Sequence, residues 1–120
     1  MSATQTKKIE IIPSTTSKIN EVDFENLSFG AVFTDHLFEC DFIDGEWQTP
    51  TVKPYAPFLV DPSTRVFHYG QAIFEGMKAY KDANDDVWKF RPDENHTRFN
   101  KSAVRMAMPE VPEEIFIDGL

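Results

Sequence analysis

A single cysteine, Cys40, stands in the 120 residues, so no intrachain disulfide can form, and no Cys/His cluster has metal-ligand spacing. No metal site is expected, and the natural setting is a reducing compartment. Basic residues are scarce: twelve Lys and Arg against twenty Asp and Glu leave a net charge of −8. That balance excludes sequence-independent binding to nucleic acid or to an anionic membrane, so any anion must be held by a local site. No apolar run approaches the roughly 20 residues that span a bilayer, and the N-terminus has neither an apolar signal core nor an Arg-rich amphipathic stretch. A cytoplasmic location is expected. Glycine is also sparse, with five residues. None falls into a G-x-G-x-x-G or Walker loop, so nucleotide binding has no support.

What the chain does have is apolar and aromatic material. Hydrophobic residues make up 41%, with eleven Phe. At this length one domain could bury roughly two-thirds of its unfolded surface. Residues 1–21 are rich in Ser, Thr and Lys and predict a flexible N-terminal arm, with the IEII run (9–12) as its one edge-strand candidate. From Val22 to Leu120 the pattern is that of an α+β domain. Phe38, Cys40 and Phe42 alternate as a half-buried strand requires, and Asp44-Gly45 before EWQTPTV is a hairpin signal, because both turn positions need positive φ. Val66–Tyr80 is apolar on both faces and contains Gly70 and Gly76, which predicts a strand covered on both sides or closely approached by a backbone or ligand. KDANDD (81–86) predicts a turn and VWKF (87–90) the return strand. Pro92-Asp93 opens a helix with a buried stripe of Phe99, Ala103, Met106 and Ala107, closed by Pro109 and Pro112. EEIFIDGL (113–120) begins another helix. The expected class is an antiparallel sheet with a flanking helix.

Arg98, Ser102 and Arg105 share a helix face off the apolar stripe, by steps of four and three. A guanidinium with a hydroxyl one turn away suits a phosphate, although a solvated cationic face has the same spacing. Tyr69 and Phe74, beside glycines, suit either an apolar ligand wall with one phenol or a core strand. His36 and His68 stand near no Ser or Cys nucleophile in a recognisable motif and are expected to be structural. The carboxylate runs DANDD, DEN and EVPEE predict solvated surface and turn, with no pair set apart in pKa.

Four blocks, FGAVFTDHLFECDF, IDGEWQTPTVKPY, FHYGQAIFEGMKAY and FRPDENHTRFNKSAVRMAMP, occur in the order and spacing of the branched-chain amino acid aminotransferases, within the fold-type IV pyridoxal-phosphate enzymes. The resemblance covers about residues 22–120. It implies a partial N-terminal domain of a two-domain enzyme, over 22–120, with the C-terminal domain absent. The activity it implies is amino-group transfer between Leu, Ile or Val and 2-oxoglutarate in branched-chain amino acid biosynthesis, by a homodimer whose cofactor is pyridoxal 5′-phosphate. Arg98 matches the arginine that contacts the cofactor phosphate; Phe29, Tyr69 and Phe74 match aromatics of the substrate side-chain pocket; Glu75, Gly76 and Lys78 match motif positions of supporting role. No catalytic residue is implied within these 120 residues, because the lysine that carries the cofactor has no counterpart among Lys78, Lys81, Lys89 and Lys101. The chain is therefore expected to be an inactive fragment. A D-amino acid aminotransferase or an aminodeoxychorismate lyase of the same fold is disfavoured by FGAVFTDHL and the Phe-rich pocket. A non-catalytic module binding small anions or a partner is the alternative of another class.

Overall fold

A computed structural model describes residues 8–120, which divide into two compact units. Residues 1–7 of the expected arm lie outside the described residues. The first unit runs to Phe58, and the second comprises Leu59–Asp118. Mixed strand and helix content agrees with the α+β expectation.

In the first unit, β1 (Glu10–Ile11) is the edge strand expected from IEII, followed by β2 (His36–Glu39), β3 (Phe42–Ile43), β4 (Glu46–Trp47) and β5 (Thr51–Pro54). The sheet order is β1-β5-β2, with β2 antiparallel and β1 parallel to β5. The parallel edge departs from the purely antiparallel expectation. Its pairing is secured where Glu10 N–H donates to Pro50 O at 2.9 Å and Ile12 N–H to Val52 O at 2.8 Å. Residues 14–18 follow β1 and are tied to the segment leading into β2. Ser14 N–H donates to His36 Nε2 at 2.8 Å and Ser17 Oγ to Asp35 Oδ2 at 2.6 Å.

The inward alternation of Phe38, Cys40 and Phe42 is not borne out, since Phe38 and Phe42 are both exposed. The chain changes partner between Glu39 and Phe42, from β5 to β4, and the period-two pattern cannot run through that change. The Asp44-Gly45 hairpin does form. Asp44 at φ 53° and Gly45 at φ 83° join β3 to β4 with Ile43 opposite Glu46, the positive-φ pair whose twist matches that of the strands. Phe42 and Trp47 then meet edge-on, 5.1 Å between ring centres.

In the second unit the expected strand over 66–80 is overturned. Arg65–Tyr69 is a short helix, α1, residues 71–78 pair with no strand, and only Ala79–Lys81 is extended and paired, as β6. Two local features account for this. Asp61 organises the turn into α1 by accepting from Ser63 N–H at 2.7 Å and from the Ser63 hydroxyl at 2.5 Å, and Gly70 at φ 60° ends the helix in the left-handed region that glycine enters at least cost. Gly70 thus serves the helix end rather than a close approach: a methyl group at Gly70 or Gly76 would meet no atom within 4 Å. β6 pairs with β7 (Val87–Lys89), as expected across KDANDD. Asp82 holds that turn, accepting from Asn84 N–H at 2.8 Å and Trp88 Nε1–H at 2.8 Å.

Pro92 opens α2 (Pro92–Arg105), with Asp93 and Glu94 at the positive end of its dipole. Ala103 is fully buried and Phe99 and Met106 are half-buried, as the stripe predicts, but Ala107 is exposed. The helix stops before the prolines, at a Schellman turn in which Met108 N–H donates to Ala103 O at 2.9 Å and Ala107 N–H to Val104 O at 3.2 Å. Ala107 carries the left-handed conformation itself, at φ 52°. Since a Cβ there is strained, Ala107→Gly is expected to raise stability by about 1 kcal/mol in chemical denaturation of the protein. An unchanged midpoint would count against strain at this cap.

The expected final helix is α3 (Glu113–Asp118), with Ile115 buried. Phe116 packs 5.3 Å from the His96 ring and 5.5 Å from Phe99. Beneath this contact, Val111 N–H donates to Asn100 Oδ1 at 2.9 Å, and Val111 O accepts from Asn100 Nδ2 at 2.9 Å and His96 Nε2 at 2.7 Å. No helix among the described residues is long and apolar enough to cross a membrane.

Candidate functional site

Arg98 lies in the second turn of α2, with its side chain 67% exposed. The preceding irregular segment brings Glu75 to it, and Glu75 is only 8% exposed. Arg98 Nε–H donates to Glu75 Oε2 at 2.8 Å and Nη2–H to Glu75 Oε1, a forked pair. Asn95 Nδ2 and Gly76 N–H each donate to Oε1 at 3.1 Å. These donors hold the Glu75 carboxyl down at about 2, well below its ordinary value, with the Arg98 hydrogen bond the largest cause and burial opposing it. The Arg98 guanidinium is in turn held further in its charged form by the carboxylate. Both members of the pair therefore stay ionised at neutral pH.

Arg98 borders an open cleft of about 500 Å³, whose other lining residues are Ala72, Ile73, Phe74, Lys101, Ser102, Arg105 and Met106. Three cations and no carboxylate line it, and its wall of Ile73, Phe74 and Met106 is apolar. Lys101 and Arg105 enter none of the ion pairs among the described residues. A cleft of this kind, cationic at one side and apolar at the other, suits a ring bearing a phosphate. The local charge is positive even though the chain as a whole is acidic.

Of the residues singled out from the sequence, Arg98, Phe74 and Arg105 come together at this cleft. Ser102 lines it as well, but its hydroxyl donates back to Arg98 O at 3.2 Å, so its proton is already committed. Tyr69, the last residue of α1, is 81% exposed and is not among the lining residues. Phe29 belongs to the first unit, where it is fully exposed beside the turn closed by Ala31 N–H to Ser28 O at 3.2 Å. His36 and His68 lie outside this cleft and each makes a hydrogen bond: His36 Nε2 accepts from Ser14 N–H, and His68 Nε2 donates to Pro62 O at 2.8 Å. Glu75, given only a supporting role from the sequence, is the residue that pairs with Arg98, and that pairing is what the sequence reading did not foresee. The available signal was an acid set in an apolar run, at Phe74-Glu75-Gly76.

Known proteins resemble the chain along most of its length. It is 48% identical over 99 residues, 82% of the chain, to the branched-chain-amino-acid transaminase 1 of Bacillus subtilis (strain 168), covering 28% of that protein. It is 44% identical over 117 residues, 97% of the chain, to the branched-chain-amino-acid aminotransferase 2 of the same organism, covering 31% of it. A branched-chain-amino-acid aminotransferase of Mycolicibacterium smegmatis is 45% identical over 106 residues, 88% of the chain and 29% of the relative. The chain thus spans less than a third of the length of these curated relatives. No model of a known protein family matches it. The resemblance carried by the four sequence blocks is borne out by relatives that bear the same family name.

Proposed function

We infer that the chain is part of a branched-chain-amino-acid aminotransferase, and that the complete protein transfers an amino group between Leu, Ile or Val and 2-oxoglutarate. The observation that carries this reading is identity of 44–48% to aminotransferases of that name, joined to a cleft that pairs Arg98 with an apolar wall. When bound, pyridoxal 5′-phosphate supplies the electron sink that such a transfer requires. The residues present fit its phosphate end: Arg98 would hold it, with the charges of Lys101 and Arg105 nearby. Phe74 would contribute apolar wall for a branched side chain, which offers shape but no polar handle; the family resemblance assigns a substrate-pocket role to Tyr69 and to Phe29 as well.

The 120 residues do not complete such a site alone. Phe29, Tyr69 and Phe74 are 109%, 81% and 91% exposed. This suits surfaces that are covered by the rest of a longer protein of the fold-type IV architecture, or by a second subunit of a homodimer. The test is to assay the full-length gene product with leucine and 2-oxoglutarate. Formation of glutamate is expected, and its absence with Leu, Ile and Val alike overturns the reading.

A further inference from the structure

We propose that Glu75 is a positioning residue, which holds the Arg98 guanidinium so that its Nη1/Nη2 edge is left to grip a phosphate. The proposal rests on the assignment of Arg98 as the phosphate anchor. A guanidinium carries five N–H donors in a rigid plane. The fork to Glu75 uses two of them, Nε–H and one Nη2–H, and leaves the end-on edge, whose parallel N–H groups match two phosphate oxygens.

Glu75 is itself fixed. Asn95 Nδ2, one turn before Arg98 on α2, donates both to Glu75 Oε1 at 3.1 Å and to Gly76 O at 3.3 Å, and Gly76 N–H closes on the same oxygen. A long, largely exposed side chain thereby loses its rotamer freedom on folding instead of on binding, which favours the bound state. The carboxylate also opposes an incoming anion by its charge. The two effects have opposite signs, and Glu75→Gln, which preserves shape but removes both the charge and the strong fork, reads which of them prevails.

The measurement uses the full-length protein freed of cofactor, with the dissociation constants of pyridoxal 5′-phosphate and of pyridoxal read by absorbance. Their ratio isolates the phosphate. Glu75→Gln is expected to shrink the pyridoxal to pyridoxal-phosphate ratio about tenfold, the scale of one charged hydrogen bond, while the pyridoxal constant itself stays within about twofold. Asn95→Ala, which loosens the same carboxylate without uncharging it, should shrink the ratio in the same direction by a smaller factor. Glu75→Gln combined with Arg98→Ala should do no more than Arg98→Ala alone. A ratio unchanged or enlarged in Glu75→Gln, alongside a collapsed ratio in Arg98→Ala, overturns the positioning role and leaves Arg98 as the anchor. A ratio unchanged in Arg98→Ala overturns the anchor, and the positioning role with it.

Discussion

Arg98→Ala in the full-length protein is expected to weaken retention of pyridoxal 5′-phosphate about 10- to 100-fold, because a hydrogen bond to a charged group contributes about 1.5–3 kcal/mol and each 1.4 kcal/mol is a factor of ten. The effect stays within that range since Lys101 and Arg105, on the same cleft, keep part of the positive potential. Arg98→Lys should recover only part of the loss: an ammonium restores the charge but neither the fork to Glu75 nor a two-pronged phosphate contact. Cofactor remaining after exhaustive dialysis, read by absorbance, decides it. Equal retention in wild type and Arg98→Ala would remove Arg98 from the phosphate site. The substitution also deprives Glu75, 8% exposed, of the partner chiefly responsible for its low pKa. The apo protein should therefore melt at a lower temperature as well.

Asn100→Ala is the substitution expected to cost most stability, about 2–3 kcal/mol. Its amide closes a two-way bridge to Val111, accepting from the N–H and donating to the C=O, both at 2.9 Å. Truncation leaves the half-buried Val111 N–H without a partner, and an unsatisfied donor costs more than the net worth of the bond it loses. The Val111 carbonyl keeps His96 at 2.7 Å, so the loss falls short of two orphaned groups. Chemical denaturation of the full-length protein measures it. Ser102→Ala is the control: its hydroxyl serves only the Arg98 carbonyl at 3.2 Å, and a change within about 0.5 kcal/mol is expected. If Asn100→Ala falls in that same narrow range, the bridge does not hold the α2–α3 connection.

Features legible from the sequence are those whose cause lies within a few residues. Asp44-Gly45 specifies its own turn because two consecutive positive φ values suit few other pairs. Pro92 starts α2 because its missing N–H is an orphan at that position in any case. The polar run after β6 closes on itself through Asp82. The chemical character of the cleft was legible in part, through the spacing of Arg98 and Arg105 on one helix face.

Other features were hidden beneath an apolar composition or depended on partners distant in the chain. The apolar run 66–80 has strand composition, yet Gly70 in the left-handed region and the Asp61 turn made its first residues a helix. Phe38 and Phe42 alternate in sequence but pair with different strands, so their common face was lost. Glu75 and Arg98 stand 23 residues apart, and Asn100 and Val111 meet across a helix end. The sequence alone determined the turns, the helix start and the family resemblance, because each is written in local backbone preference or in ordered blocks. Only the tertiary structure decided that a carboxylate would grip the candidate phosphate anchor, because that pairing depends on where two segments meet in space.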